Sequence, residues 1–452
     1  MKIQFLGATE TVTGSKYFLS SGKTNILVDC GLFQGYKELR LKNWMRFPIP
    51  AKDIHYILLT HAHIDHSGYV PLLVKNGFRG KIICTAATKD LCKILLPDSG
   101  YLQEEEARYA NKKGYSKHTP ALPLYTREEA EASLAYFHAV DLEKKHSLSE
   151  DFSATFYYGG HILGASFIKI EDPYTSILFS GDLGRQTDPV MYPPKNPPSA
   201  NYLVVESTYG NRLHSTVNPQ DELAVIINNT AKSGGVVLIP SFAVGRAQQL
   251  LFYLHELKRM GKIPNIPVFV DSPMATDATK LFYKYYREHR LSAEQALAVC
   301  KTAAYMHTVE DSKSLNSMNV PMIIISASGM ATGGRVLHHI NNFGQNHRNS
   351  IVFCGYQAGG TRGDLMVRHA ETIKIFGRAI SIHAKIFQVD NMSAHADYSE
   401  MLAWLSNIEQ KPTKVFITHG EKAAAEALKQ KIEEELKWPC VVPEYGHTET
   451  LV

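Results

Sequence analysis

The chain has 452 residues, 44% of them hydrophobic and 20% charged, a composition that fits a folded protein of two or more domains and excludes wholesale disorder. Lys and Arg total 48 against 44 Asp and Glu, a net charge of +4, which excludes a general basic coat for nucleic acid but not a local basic groove. The 20 His are the unusual number, because neutral imidazole is the commonest metal ligand.

The N-terminal MKIQFLG reads as a first strand, with no leader-type apolar region or cleavage site. No apolar run approaches the ~20 residues that span a bilayer, so a cytoplasmic protein with no membrane partner is expected. The Cys at 30, 84, 92, 300, 354 and 440 show no C-x-x-C spacing and read as buried free thiols. Short strand-like runs alternate with turns to residue 100, with helices at 66–76 and 87–96. Residues 99–150 are charged and helical, and Thr126 with Glu129 fits a capping box. Strands return at 152–158, 166–170, 176–180 and 202–206.

Beyond residue 207 the pattern changes. Asn218-Pro219 predicts an N-cap and first-turn proline for a helix to about 232. The apolar runs VVLIP, PVFVD, MIIISA and SIVFCGY then alternate with helices at 245–260, at 276–289 and from about 333, the pattern of a parallel, doubly wound module. Helices at 398–408 and 421–436 flank a last strand, VFITHG. No internal repeat or low-complexity linker occurs, which favours an insertion docked on its host, and no appended RNA-binding domain is expected at either end.

His61, His63, Asp65 and His66 follow directly on the strand-like run IHYILLT. Four ligand-type side chains within six residues, at a strand end, converge on a point without long-range help. Further ligands must come from elsewhere. His161 in YYGGHILGAS, Asp182 in LFSGDLG and His419 in VFITHG each lie beside Gly after a strand-like run. Singly, each is more readily structural; joined to the first motif, they form a His/Asp set fit for two metals. Asp29 in NILVDCG is expected to fix the tautomer of a ligand imidazole. The residues alone do not assign ligands to individual metals, and they only prefer zinc over manganese.

This set resembles the metallo-β-lactamase superfamily. The resemblance implies a four-layer αββα fold, with His61, His63 and His161 on one Zn2+, Asp65 and His66 on a second, and Asp182 bridging. Glu206 in VVESTYG, His395 in SAHAD and His419 in ITHG further resemble motifs A, B and C of the β-CASP branch of nucleic-acid-processing enzymes, and PSFAVGRAQQLL, DSPMA, SASGMATGGR and GYQAGGTRG fit the same branch. In that family a His at motif C marks RNA-directed members, so His419 implies RNA and completes the second metal's ligands. The implied organisation is residues 1–206 and 389–452 as the metal-binding domain, with an inserted β-CASP α/β domain at 207–388.

Ser326 and Ser328 stand in a Gly-rich stretch ahead of a helix, a setting that favours an anion. With Ser241, Arg246, Arg362 and Ser393 they form the set expected to meet RNA phosphates, with Gln248 beside Arg246. A plain strand-turn-helix connection is the competing reading for each. The Tyr-rich FYKYY at 282–286 reads as helix packing, and His138, His255, His338, His339, His383 and His447 are given no role.

The resemblance therefore implies a two-zinc hydrolysis of single-stranded RNA, endonucleolytic by preference with 5′-exonuclease action open, leaving 5′-phosphate and 3′-hydroxyl ends. Asp65, His395, Glu206 and Asp29 are expected to serve catalysis, His395 as general acid held by Glu206. A second copy of the chain or subunits of a processing complex are the other partners considered. Three rival readings stand against it. A small-molecule hydrolase has no use for the inserted module, a DNA nuclease is weakened by His419, and a non-catalytic RNA scaffold would have lost ligands.

Overall fold

The computed structural model describes every residue except Tyr115, Lys117, Tyr356 and Ala358. These four fall in the stretches KHTPALPLYT (with its approach) and GYQAGGTRG, and that part of the sequence reading lies outside the described residues. The chain divides into two compact units: Met1–Leu213 with His395–Val452, and His214–Ala394.

The first unit is two seven-stranded sheets face to face. Its strands are β1 (Lys2–Phe5), β2 (Tyr17–Ser21), β3 (Thr24–Val28), β4 (Tyr56–Leu58), β5 (Lys81–Thr85) and β6 (Phe137–Val140). There follow β7 (Lys145–Ser147), β8 (Ser153–Tyr158), β9 (Ser166–Glu171), β10 (Ser176–Phe179) and β11 (Tyr202–Glu206). The second unit holds β12 (Val236–Pro240), β13 (Val268–Asp271), β14 (Ala304–Tyr305), β15 (Met322–Ser326), β16 (Ser350–Cys354), β17 (Thr372–Ile375), β18 (Arg378–Ser381) and β19 (Lys385–Val389). The chain then returns to the first unit with β20 (Lys414–Thr418), β21 (Cys440–Val441) and β22 (Thr448–Thr450).

One sheet runs β22-β1-β2-β3-β4-β5-β6 and the other β21-β20-β11-β10-β9-β8-β7. Ile3, Leu19 and Val28 from the first sheet pack on Phe156, Ile170 and Val204 from the second, all buried. The outer face of the second sheet is covered by helices Tyr398–Leu405 and Lys422–Glu435 through Trp404, Leu405 and Leu428. Helix Ala86–Lys113 packs on β5 and β6 of the first. Helix, sheet, sheet, helix is the four-layer αββα order. The capping box forms as read: Thr126 Oγ1 accepts from Glu129 N, and Glu129 reaches back to Thr126 N.

The second unit is built on a six-stranded sheet, β14-β13-β15-β12-β16-β19, in which every pairing is parallel. Helix Pro219–Lys232 starts at its Asn218 cap, as its Asn-Pro pair predicts. In helix Pro273–Lys284, Phe282 is buried with its ring stacked on His289, so the Phe of FYKYY is packing, whereas Tyr283 is exposed and Tyr285 and Tyr286 are half-buried. The breaks between units fall after 213 and 394, a few residues beyond the expected 206 and 388. Past β11, Tyr209 bridges Asp397, and Gly210 packs against the Ala424 carbonyl, which keeps 207–213 with the first unit. β19 pairs with β16 along its whole length, which keeps residues to 389 with the second. Among the described residues no helix is long and apolar enough to cross a membrane.

Candidate metal centre

Parallel pairing decides where the donors gather. Val28 of β3 is in register with Leu58 of β4, so Asp29 and the His61–His66 stretch leave the sheet at the same edge. In the facing sheet Glu206 is in register with Thr418, so motif A and His419 also emerge together. His161 and Asp182 follow the ends of β8 and β10. Every one of these residues belongs to the first unit, as does His395.

The loop geometry is demanding. Asp29 and His419 adopt left-handed backbone, with φ of 56° and 48°, a conformation that non-glycine residues hold only where surrounding structure enforces it. Gly31 is required by a close approach: a Cβ there would stand 1.6 Å from the Asp65 carbonyl oxygen. The histidine-bearing loop thus lies directly on the turn that carries Asp29.

The ligand-type atoms of His61, His63, His161 and Asp182 lie within 4.8 Å of one another, and so do those of Asp65, His66 and His419. His61 Nε2 is 3.1 Å from His63 Nδ1, and His161 Nε2 is 3.3 Å from the same atom. His66 Nε2 is 3.1 Å from His419 Nε2. Asp182 faces both groups, with Oδ2 3.5 Å from His61 Nε2 and Oδ1 3.2 Å from His66 Nε2. Asp65 Oδ2 is 3.5 Å from His419 Nε2. Nitrogen and carboxylate donors converging from two sides are the chemistry of a divalent metal centre.

The protonation tendencies of His61, His63 and Asp182 agree with that reading, whereas His66, despite its burial, is raised above the usual imidazole range by Asp182 and Asp29. Burial, reinforced by neighbouring His66, holds His61 well below the usual imidazole range, and burial brings His63 down to about 4. Both are neutral imidazoles at pH 7, the form that binds metal. Burial works against ionisation of Asp182, but His419, His66 and His61 together hold it well below the carboxylate range.

Asp29 does not join the donors. Its Oδ2 accepts from His66 Nδ1 at 2.8 Å, which leaves His66 Nε2 aimed at the cluster. Its Oδ1 accepts from the Thr60 backbone N–H at 2.8 Å, and the Thr60 hydroxyl lies 3.1 Å from His61 Nδ1. Carboxylate, hydroxyl and two imidazoles thus set each other's orientation. Thr60 escaped the sequence reading, although it directly precedes His61.

Glu206 and His395 form a second arrangement beside the donors. Glu206 is buried, and its Oε2 lies 3.0 Å from His395 Nδ1. Glu206 Oε1 accepts from Leu183 N at 2.6 Å, and Oε2 accepts from Thr208 Oγ1 at 2.5 Å. The same Thr208 hydroxyl is 3.2 Å from His419 Nδ1. Thr208 is the other residue missed, two positions after Glu206. Burial disfavours the charged His395 ring, but Glu206 outweighs it and lifts the pKa to about 9.

The residues expected to meet RNA phosphates all lie in the second unit, and several of their side chains have partners within the protein. Ser326 is fully buried and donates its hydroxyl to the Asp271 carbonyl. Ser241 is buried as well, its hydroxyl on the Phe242 carbonyl. Arg362 spends its guanidinium on three backbone carbonyls, those of Lys374, Ala331 and Thr332. Gln248 caps its own helix through Gly245 N and bonds Thr279. Ser328 pairs with Thr332, and Ser393 is buried. Arg246 contacts Gln249 Oε1 at 2.9 Å and stays half-buried. Strand-turn-helix packing accounts for most of this set.

Two stacked sheets with a His/Asp cluster at their shared edge define a metallo-hydrolase of the metallo-β-lactamase kind. Comparison with known proteins agrees: residues 11–209 match the model of the metallo-beta-lactamase superfamily, 247–366 the Beta-Casp domain, and 379–443 the Zn-dependent metallo-hydrolase RNA specificity domain. The chain is 33% identical over 95% of its own length and 95% of the other's to "Ribonuclease TTHA0252" of Thermus thermophilus. It is 30% identical to "Transcription termination factor FttA" of Methanosarcina mazei, covering 97% of this chain and 69% of that one. A crystal structure of a protein of unknown function from Enterococcus faecalis shares the fold, with a TM-score of 0.52, 14% identity and coverage of 100% and 99%. The chain belongs to the β-CASP family of the metallo-β-lactamase superfamily.

Proposed function

We propose that the chain is a ribonuclease that hydrolyses phosphodiester bonds of single-stranded RNA with two zinc ions, acting chiefly as an endonuclease in RNA processing or decay. The observation that carries this reading is the placement of the buried Glu206–His395 pair against a His/Asp cluster completed by His419. The likeness to a protein named as a ribonuclease over nearly the whole of both chains supports it.

His61, His63 and His161 would hold one metal, Asp65, His66 and His419 the other, with Asp182 shared. When bound, the metals supply acidification of a water and neutralisation of charge on the phosphate oxygens. The protein's own groups do the rest. Asp29 and Thr60 hold the His66 and His61 rings in their ligand tautomers. With Nδ1 committed to Glu206, His395 hands a proton from Nε2 to the departing 3′ oxygen as its bond to phosphorus breaks. The water oxygen stays on phosphorus, so the ends are a 5′-phosphate and a 3′-hydroxyl.

Zinc analysis combined with one assay on labelled RNA, single-stranded DNA and a thioester tests the reading. Cleavage of RNA alone supports it; a preference for DNA or the thioester overturns it. One RNA bearing a 5′-triphosphate, monophosphate or hydroxyl should give the same internal fragments each time, and dependence on the 5′ group would instead mark an exonuclease.

A further inference from the structure

The segment between β3 and β4 takes no part in the metal centre, yet its chemistry is distinctive. From Tyr36 to Asp53 it carries Lys37, Arg40, Lys42, Arg46 and Lys52 against Glu38 and Asp53. Its short helix, Lys37–Lys42, has no buried residue. Together with helix Val70–Lys75 the segment walls a cavity of about 550 Å³, the size of a small-molecule site. Trp44, Phe47, Tyr69 and Leu72 give it an apolar lining, and its charged groups are Arg46 and Lys52, with no carboxylate.

Three features set this cavity apart from ordinary surface. Trp44 is 59% exposed, whereas the other two Trp, 404 and 438, are 1% and 7% exposed. Among the described residues neither Arg46 nor Lys52 has a carboxylate within ion-pair distance. The Tyr69 ring also has the buried Lys16 ammonium 4.8 Å from its centroid. An aromatic face left open at Trp44 beside unpaired cations matches a polyanion whose flat groups stack while its charges are neutralised.

We propose that this cavity is a subsite for single-stranded RNA, one base stacking on Trp44 while neighbouring phosphates meet Arg46 and Lys52. The proposal rests on the ribonuclease reading of the metal centre and adds a binding surface to it. Tyr69 stands three residues after His66, so subsite and metal motif share one short stretch of backbone. Stacking tolerates any base, so the subsite adds grip without sequence preference.

The test uses the full metal-loaded chain and a phosphorothioate oligoribonucleotide, which resists cleavage. Binding should quench Trp44 emission with the same Kd that fluorescence anisotropy reports. Trp44→Ala should weaken binding about tenfold, and Trp44→Phe should restore most of it. Arg46→Ala with Lys52→Ala should lower the slope of log Kd against log salt by about 1.4, two phosphates' worth for a single strand. RNA binding without quenching, with Kd unchanged in every variant, overturns the subsite and leaves the ribonuclease reading standing if RNA is still cut. Loss of self-association rather than of RNA affinity in Trp44→Ala also overturns it, in favour of a contact between copies. A chain that neither binds nor cuts RNA overturns both readings together.

Discussion

In the second unit Asp271 is fully buried, and each of its oxygens meets a committed donor. Ser312 Oγ and His339 Nε2 stand 2.5 and 2.6 Å from Oδ2, and Arg335 Nη1 stands 2.7 Å from Oδ1. In the first unit Asp182 is equally buried but meets imidazole nitrogens at 3.2 to 3.7 Å, and those nitrogens crowd one another. The first arrangement is closed: proton donors match acceptors, and Arg335 goes on to tie the carbonyls of Met306 and His307 into the same network. In the second, imidazole nitrogens face one another as well as the carboxylate, the crowding of donor atoms that suits a cation. Burial and residue type are alike in the two places. The balance of donors and acceptors separates a polar core that holds a fold from one that holds a metal.

Substitutions can break this contrast from either side. His63→Ala removes a donor that touches both His61 and His161, so zinc content and RNA cleavage should both collapse; retention of two zinc ions would show that His63 is not a ligand. His395→Ala should lower kcat by roughly 10²- to 10⁴-fold, the usual worth of a general acid, as read by single-turnover cleavage. In the second unit Asp271→Ala leaves His339 and Arg335 without their partner and should cost about 3–5 kcal/mol in denaturant unfolding, with zinc content unchanged. Asp29→Asn should weaken zinc binding by about 10- to 100-fold through a misaligned His66, measured by competition with a chelator.

The smallest effect expected is one of pH. Burial works against ionisation of Asp271, but His339, Ser312 and Arg335 hold its pKa below the usual value. The unfolded chain therefore takes up this proton first, near pH 3.9. The stability it contributes is complete above that value and is lost as pH falls through the lower, folded one. Asp271→Asn should flatten the acid limb of the unfolding profile, and an unchanged limb would contradict the network's role.

The clustering of the candidate ligands was legible because strand ends followed by His or Asp beside Gly signal a shared rim, and four ligand-type residues in six need no tertiary information. Asp29 was legible for the same reason. Thr60 and Thr208 were not, because a threonine's hydroxyl carries no mark of its partner until the strands are in register. SASGMATGG predicts a turn before a helix, but not that Ser326 points inward to the Asp271 carbonyl. Helix Ala86–Lys113 runs unbroken through Pro97 and Gly100, joining the helix expected at 87–96 to the start of the charged helical stretch expected from 99. Gly100 permits close packing, since a Cβ there would stand 2.7 Å from the Thr126 carbonyl oxygen. The layered architecture and the parallel module followed from element order, whereas the breaks near 213 and 394 depended on Tyr209 and β19, whose pairings are invisible before folding.

The account stands on a division of labour within one cluster, metal held by one set of residues and the proton delivered by another. Measuring bound zinc and single-turnover RNA cleavage side by side for wild type, His63→Ala and His395→Ala tests it most directly. The account predicts two zinc ions on wild type and on His395→Ala, with cleavage lost in both variants and zinc lost only in His63→Ala. Zinc falling in step with activity in His395→Ala, or cleavage surviving there, would contradict it.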